Sequence, residues 1–320
     1  MDRILAIDCG KDDTKISAYN SDGSVELNKV KTRVGLADEL SKLSSETSSD
    51  IHIFKYDNKE YYIGSPSGTT TDSNSKQDNI HKIMTLFAIA ISVNNNDNVK
   101  VAIGCPLVTF IDADARQEYL DYILPKGKVT VEVNGSTKSF YISKRECLPE
   151  SFGALFMYPD EFKNCAAGVI DIGALIINCC YFNNSKLVTD NCFTDKYGKL
   201  QIARKLKSKL NQKYDAQFKT FEVEHFLEDR QVPNSPESKD IIQGIINADM
   251  DDIRQACKDN GWNIDYCKLM FIGGTSKLLK NEIMERYPNA IIPDASEYTN
   301  VCGFLKYLLM PKVPSFYTKV

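Results

Sequence analysis

Ile4-Leu5-Ala6-Ile7-Asp8-Cys9-Gly10 opens the chain, and Val169-Ile170-Asp171-Ile172-Gly173 repeats its pattern half a chain later. Each copy is an apolar run of the kind that forms a buried strand, followed at once by Asp-x-Gly. The Asp sets a carboxylate at the strand end. The Gly permits a tight turn and a close approach of backbone to a ligand. Strand-to-turn junctions use Asp-x-Gly freely, so a single copy means little. Two copies in matching halves imply an internally duplicated, two-lobed molecule whose turns face a phosphate chain and its metal ion.

A length of 320 residues suits two domains and a large core. With 42% hydrophobic and 26% charged residues, the composition is that of an ordinary soluble globular protein. The net charge of -4 argues against direct, sequence-independent binding of nucleic acid. No apolar run approaches the ~20 residues that span a bilayer, so no membrane association is expected. Met1-Asp2-Arg3 runs straight into a strand without signal-peptide organisation, and the cytoplasm is the expected location. None of the ten cysteines shows C-x-x-C spacing, and only Cys179 and Cys180 are adjacent. Reduced, buried thiols are expected rather than a zinc site or a disulfide framework. His52, His81 and His225 lack partners nearby in sequence and read as surface or core residues.

Each half begins with a strand, the Asp-x-Gly turn, a second strand and a hairpin, and then adds helices and strands. In the first half, strands are expected at 3–9, 15–19, 25–30, 51–56, 60–63, 99–104, 129–133 and 139–143. Asp22-Gly23, Asp57-Asn58 and Asn134-Gly135 supply hairpin turns. Helices are expected at 79–93, capped by Asp78, and at 113–124 and 150–157. In the second half, strands are expected at 168–172, 176–182, 186–190, 268–272 and 290–292, with a turn at Asn183-Asn184. Helices are expected at 200–214, 238–260, 278–287 and 300–309, while 221–227 reads as either strand or helix. The polar stretch Ser65–Ser75 is a loop, and a proline-broken tail runs from Pro311 to Val320. The architecture is α/β, duplicated, and not a continuous βαβ series.

Three further segments carry chemistry. Asp8-Cys9-Gly10-Lys11-Asp12-Asp13-Thr14-Lys15 can form an anion-binding nest, with Lys15 reaching phosphates and Asp8 holding Mg²⁺ through water. Glu150, in Leu148-Pro149-Glu150-Ser151, stands where a carboxylate orients or deprotonates a water that attacks a γ-phosphate. Met270-Phe271-Ile272-Gly273-Gly274-Thr275 ends a buried strand in a double glycine that lets backbone lie flat against an adenine or ribose. Each segment alone has a bland alternative: a solvated hairpin, helix N-terminal electrostatics, a tight strand-to-helix turn.

In order and spacing, these pieces resemble the actin, Hsp70 and sugar-kinase superfamily across nearly the whole chain. Within it the chain resembles most the plasmid-segregating, ParM-like bacterial actins. The stretch 56–63 with its following loop and helix, Leu148-Pro149-Glu150-Ser151, and Ser296-Glu297-Tyr298-Thr299-Asn300-Val301-Cys302-Gly303 carry that likeness. The resemblance implies an actin-like (ribonuclease H-like) duplicated two-domain fold with nucleotide in the interdomain cleft. It divides the chain into 1–149 plus 299–320 and 150–298. It implies that Asp8 and Asp171 flank Mg²⁺ and that Gly10, Lys11, Lys15, Gly173 and Ala174 meet phosphate. Glu150 positions the attacking water, and Asp171 is the second catalytic acid. Gly198, Gly273, Gly274 and Thr275 lie near the nucleoside, and Glu222 or Glu224 contacts the ribose.

The chain departs from that pattern in both turns. The second continues Gly173-Ala174-Leu175-Ile176-Ile177-Asn178, without the usual hydroxyl and with Asn178 where an Asp is usual. The first carries Lys11, Asp12 and Asp13 where small hydroxyl residues are usual. The resemblance leads to an ATP- or GTP-dependent, Mg²⁺-requiring head-to-tail filament that hydrolyses its nucleotide. Such a filament moves plasmid DNA indirectly, through a small DNA-binding adaptor. A small-molecule kinase of the same fold and a nucleotide-binding scaffold with little turnover are the alternatives. The basic helix Arg204–Lys213 reads as a solvated face, with a DNA patch or a filament contact as the alternatives.

Overall fold

The computed structural model describes residues 1–36, 51–64, 68–69 and 76–311. Most of the polar loop 65–75 and all but the first residue of the tail lie outside the described residues. The chain divides into two compact units, Met1–Met157 with the chain from Asn300, and Tyr158–Thr299.

The first unit is built on a nine-stranded mixed sheet. Its strands are β1 (Asp2–Cys9), β2 (Asp13–Tyr19), β3 (Val25–Lys31), β4 (Val34–Leu36), β5 (His52–Tyr56) and β6 (Lys59–Ile63), then β7 (Asn98–Cys105), β8 (Gly127–Val133) and β9 (Ser136–Pro149). The order is β3-β2-β1-β7-β9-β8-β5-β6-β4. β1 is apolar without alternation because it lies inside the sheet, antiparallel to β2 and parallel to β7, and is covered on both faces. β3 at the edge is almost wholly exposed, Val25 and Leu27 included. Among the described residues of this unit before residue 158 lie the helices α1 (Asn79–Ser92), α2 (Leu107–Ile111), α3 (Ala113–Ile123) and α4 (Phe152–Met157). Asp78 caps α1, accepting the His81 amide at 2.8 Å, so the expected cap is the observed one.

The second unit has a smaller sheet, β12-β11-β10-β14, with β13 added on β11. These strands are β10 (Ala166–Ile172), β11 (Ile177–Asn183), β12 (Lys186–Leu187), β13 (Phe193–Asp195) and β14 (Lys268–Ile272). Helices α5 (Lys199–Tyr214), α6 (Thr220–Asp229), α7 (Ser238–Asp259), α8 (Gly274–Leu278) and α9 (Lys280–Arg286) pack with it, and α10 (Thr299–Leu309) returns to the first unit. The duplication is visible in register. β10 lies antiparallel to β11 and parallel to β14, as β1 lies between β2 and β7.

Several expectations need correction. β9 runs to Pro149, well past the expected 139–143, because it pairs with β8 along its first part and with β7 along its second. The helix expected from Glu150 starts at Phe152, since Ser151 takes a left-handed φ of 74° that no helix accommodates. The second-half hairpin turns at Asn184-Ser185, both left-handed, one residue later than expected. The strand expected at 186–190 stops at Leu187, where a short 3-10 turn at Thr189–Asn191 takes over. The helix expected at 278–287 breaks at Leu279 into α8 and α9. The expected strand at 290–292 is reduced to a single bridge between Ile291 and Met270. The segment 221–227 is helical, within α6. β4, α2 and β13 were not expected.

All ten cysteines are free thiols, and Cys9, Cys105, Cys147, Cys179, Cys180 and Cys257 are buried. No described helix is long and apolar enough to cross a membrane. The basic helix α5 buries Ile202, Ala203, Leu206 and Leu210, and its Lys205 bonds the buried Asp249 of α7 at 2.5 Å. At least that cation is structural.

Candidate functional site

In the first unit, Asp8 sits near the end of β1 with only 6% of its surface exposed. The parallel neighbour β7 makes room for it. A Cβ on Gly104 would stand 3.1 Å from Asp8 Oδ1. The turn then closes on itself, Gly10 N–H donating to the Asp8 carbonyl at 3.1 Å and to the Asp13 carbonyl at 3.0 Å. A Cβ on Gly10 would lie 2.8 Å from the Asp13 oxygen, which explains the glycine.

The unusual acids of this turn are matched by cations from the end of β3 and the residues just after it. Lys31 lies 3.1 Å from Asp12 and 3.0 Å from Asp13, and Arg33 lies 3.5 Å from Asp12. Lys15 stands opposite Asp8 in the β1–β2 register. Lys11 is buried, and its ammonium is held below the ordinary lysine range by burial first and by the charge of Lys76 second.

Lys76 is the residue sequence reasoning missed. Next to a polar loop it reads as one more solvated charge, yet it is only 4% exposed. Its ammonium donates to the Cys9 carbonyl at 2.7 Å, lies 3.7 Å from Asp8 Oδ1 and pairs with Glu150 Oε1. Burial alone would lower its pKa, and the Glu150 and Asp8 carboxylates more than reverse that, so it is held charged.

Glu150 follows β9, its N–H donating to the Cys105 carbonyl at 3.1 Å. The next residue, Ser151, has its left-handed backbone held by Asn300 Oδ1 at 3.1 Å. Such strain persists only where the surroundings fix it.

The second unit repeats the device. Asp171 is 8% exposed and faces Asn178 on β11 and Ile272 on β14. Gly173 N–H donates to the Ile176 carbonyl at 3.0 Å, three residues on, as Gly10 does to Asp13. Gly273, with φ of 89°, takes the part of Gly104, since a Cβ there would stand 2.5 Å from Asp171 Oδ1. Thr275 Oγ1 donates to the Gly173 carbonyl at 2.7 Å. The start of α5, behind Gly198, donates the Leu200 N–H to the Ala174 carbonyl at 2.8 Å. The fold therefore brings Asp171, Gly173, Ala174, Gly198, Gly273 and Thr275 together, with Gly274 opening α8 beside Glu297.

The two candidate acids of α6 part company. Glu222 is occupied as a helix cap, accepting the Lys219 N–H at 2.7 Å. Glu224 pairs with Lys199 at 3.3 Å, which ties it to the α5 start next to Gly198. Asn178, the residue that replaces a usual Asp, accepts the Thr194 hydroxyl at 2.8 Å.

Asp8, Glu150 and the Cys9 carbonyl form an all-oxygen set, the chemistry that suits Mg²⁺. Among the described residues no group of three or more His, Cys, Asp or Glu could hold a metal.

Residues 6–153 match the family model described as the actin like proteins N terminal domain. Among solved structures, the Alp12 filament is 26% identical, with 95% of this chain and 97% of that one covered and a TM-score of 0.70. A ParM filament from Clostridium botulinum is 18% identical over 96% and 98% of the two chains, TM-score 0.73. The archaeal actin homologue Ta0583, solved in complex with ADP, is 16% identical over 96% and 99%, TM-score 0.73. No curated protein matches the chain. The N-terminal part of the chain therefore resembles the actin-like proteins in sequence, and the whole chain resembles them in fold, with ParM and Alp12 filaments among its structural neighbours.

Proposed function

We propose that the protein binds ATP or GTP with Mg²⁺, polymerises head to tail and hydrolyses the nucleotide to limit filament lifetime. The observation that carries this reading is the repeated turn, Gly10 N–H to Asp13 and Gly173 N–H to Ile176, each beneath a buried Asp. Turns of this kind offer backbone N–H groups and carboxylates to a phosphate chain and its metal. In this reading Asp8 and Asp171 hold the metal through water, and Lys11 and Lys15 meet phosphate. Glu150 orients the attacking water. Gly198, Gly273, Gly274 and Thr275 border the nucleoside, with Glu224 at the ribose. Mg²⁺ supplies neutralisation of the phosphate charge. The Alp12 and ParM filaments among the structural neighbours support polymerisation, and a head-to-tail contact is open-ended by geometry. Segregation of plasmid DNA through a DNA-binding adaptor is the cellular role we propose, and the net charge of -4 suits an indirect link to DNA.

Light scattering and pelleting with ATP, with GTP and without nucleotide test the proposal. Polymer is expected only with nucleotide and Mg²⁺, and its absence under every condition overturns the reading. Glu150→Gln is expected to keep polymerisation and slow phosphate release by roughly 10²–10⁴-fold, the usual worth of a general base. The ion pair that occupies Glu150 favours a second reading, a nucleotide-binding scaffold with little turnover. Equal and negligible phosphate release from wild type and Glu150→Gln would select it.

A further inference from the structure

We propose that Lys76 is a built-in counter-cation, which occupies the divalent-metal position beside Asp8 and keeps Glu150 ion-paired until a phosphate chain draws the ammonium away. The inference rests on reading Asp8 and Glu150 as the metal-facing and water-facing acids.

The geometry sets the ammonium among three oxygens. An ammonium has three N–H groups. Here one donates to the Cys9 carbonyl at 2.7 Å, the ammonium pairs with Glu150 Oε1, and Asp8 Oδ1 lies 3.7 Å away, an ion-pair distance. All three side chains are buried, Lys76 at 4% exposure and Asp8 and Glu150 at 6% each. Two buried carboxylates without a cation would repel one another and lack the water that normally solvates them. A divalent ion offers the same oxygens a better match, but it must first displace a cation that is covalently present at high effective concentration. A polyphosphate changes that balance. It brings its own metal and offers the ammonium new anionic partners. The same movement releases Glu150 for the water, so the acid is free only when its substrate is bound. Lys76 acts through Asp8 and Glu150 and is a positioning residue.

The test uses the full chain without nucleotide, with MgCl2 as the probe and NaCl at matched ionic strength as the control. Wild type is expected to show the same melting temperature in both. Lys76→Met strands two buried acids and is expected to melt lower by roughly 5–15 °C, from the usual cost of breaking a buried pair. MgCl2 is expected to recover much of that loss where NaCl does not, because the metal now has the position to itself. Lys76→Met with Glu150→Gln is expected to regain stability without metal and to respond less to MgCl2. Lys76→Arg keeps the charge and is expected to remain indifferent to MgCl2. A Lys76→Met protein as stable as wild type, or one without a specific MgCl2 response, overturns the inference. So does a wild type stabilised by MgCl2 alone as strongly as the variant. Should Lys76→Met not fold, the double variant and Lys76→Arg decide. Folding of both with indifference to MgCl2 in Lys76→Arg upholds the inference, and failure of the double variant to fold overturns it. None of these arms contains nucleotide. A wild type that fails to bind ATP or GTP therefore removes the proposed function and leaves the Lys76 result to stand or fall separately.

Discussion

Burial holds the His81 imidazole down to about 4 from an ordinary 6.5, although Asp78 Oδ1, 2.8 Å from its Nδ1, opposes the shift. The ring is neutral in the folded protein, with Nε2 unpartnered. The unfolded chain takes up a proton near 6.5 and the folded chain only near 4. The stabilisation from neutral His81 is therefore complete above 6.5 and drains away as pH falls toward 4. Over that window the loss approaches about 3 kcal/mol, and at about pH 5 it amounts to about 2 kcal/mol. Urea denaturation at about pH 7.5 and about pH 5 is expected to show this fall in wild type and a clearly smaller one in His81→Gln. A fall of equal size in the variant would assign the pH dependence to other groups. At this scale the sequence speaks unevenly. Asp8, Gly10, Asp171 and Gly173 are legible because strand, acid and turn lie within a few consecutive residues. Gly104 and Lys76 are not. Gly104 matters only because β7 pairs with β1, and Lys76 only because its segment is buried against Asp8. Both depend on partners distant in the chain.

Elements behave in the same way: their local signals place them, and their neighbours set their lengths. The Asn134-Gly135 and Asp57-Asn58 turns fall where the sequence puts them because left-handed residues are specified locally. β9 outruns its own signal because β7 offers a second pairing edge. Glycines within helices show most directly what neighbours decide. In α10, a Cβ on Gly303 would stand 2.2 Å from the Gly153 carbonyl of α4, so the two backbones touch. In α7, a Cβ on Gly244 meets nothing within 4 Å. Gly303→Ala must push α10 off α4 and is expected to cost about 1–3 kcal/mol, the usual range for overpacking. Gly244→Ala adds only helix propensity and is expected to stabilise by about 0.5–1 kcal/mol. Thermal melts of the two variants check both signs. Like signs would mean that helix propensity alone governs these positions.

At the scale of the whole molecule, the duplication supplies its own control, since one device occurs twice with measurably different tolerances. Both turns close by a glycine N–H to a carbonyl three residues on, at 3.0 Å in each unit. The space beside the two glycines differs. A Cβ on Gly10 would lie 2.8 Å from the Asp13 oxygen, whereas a Cβ on Gly173 would lie 3.1 Å from the Ile176 oxygen. The first distance forces backbone to move, and the second asks for a shift of a few tenths of an ångström. The first turn also carries more that depends on its shape: the Lys31 contacts to Asp12 and Asp13, and the Cys9 carbonyl that receives Lys76. The second is braced from outside by the Thr275 hydroxyl and by the start of α5, which tolerate a small displacement. Gly10→Ala is therefore expected to cost about 1–3 kcal/mol and Gly173→Ala less than about 1 kcal/mol. Melting curves of the two variants, recorded without nucleotide, measure the difference. Equal losses would mean that the chain treats its two halves as equivalent turns, and that the gap of 0.3 Å between those distances, 3.1 against 2.8 Å, carries no energy. A larger loss at Gly10 would place the less forgiving copy in the unit where Lys76, Asp8 and Glu150 meet.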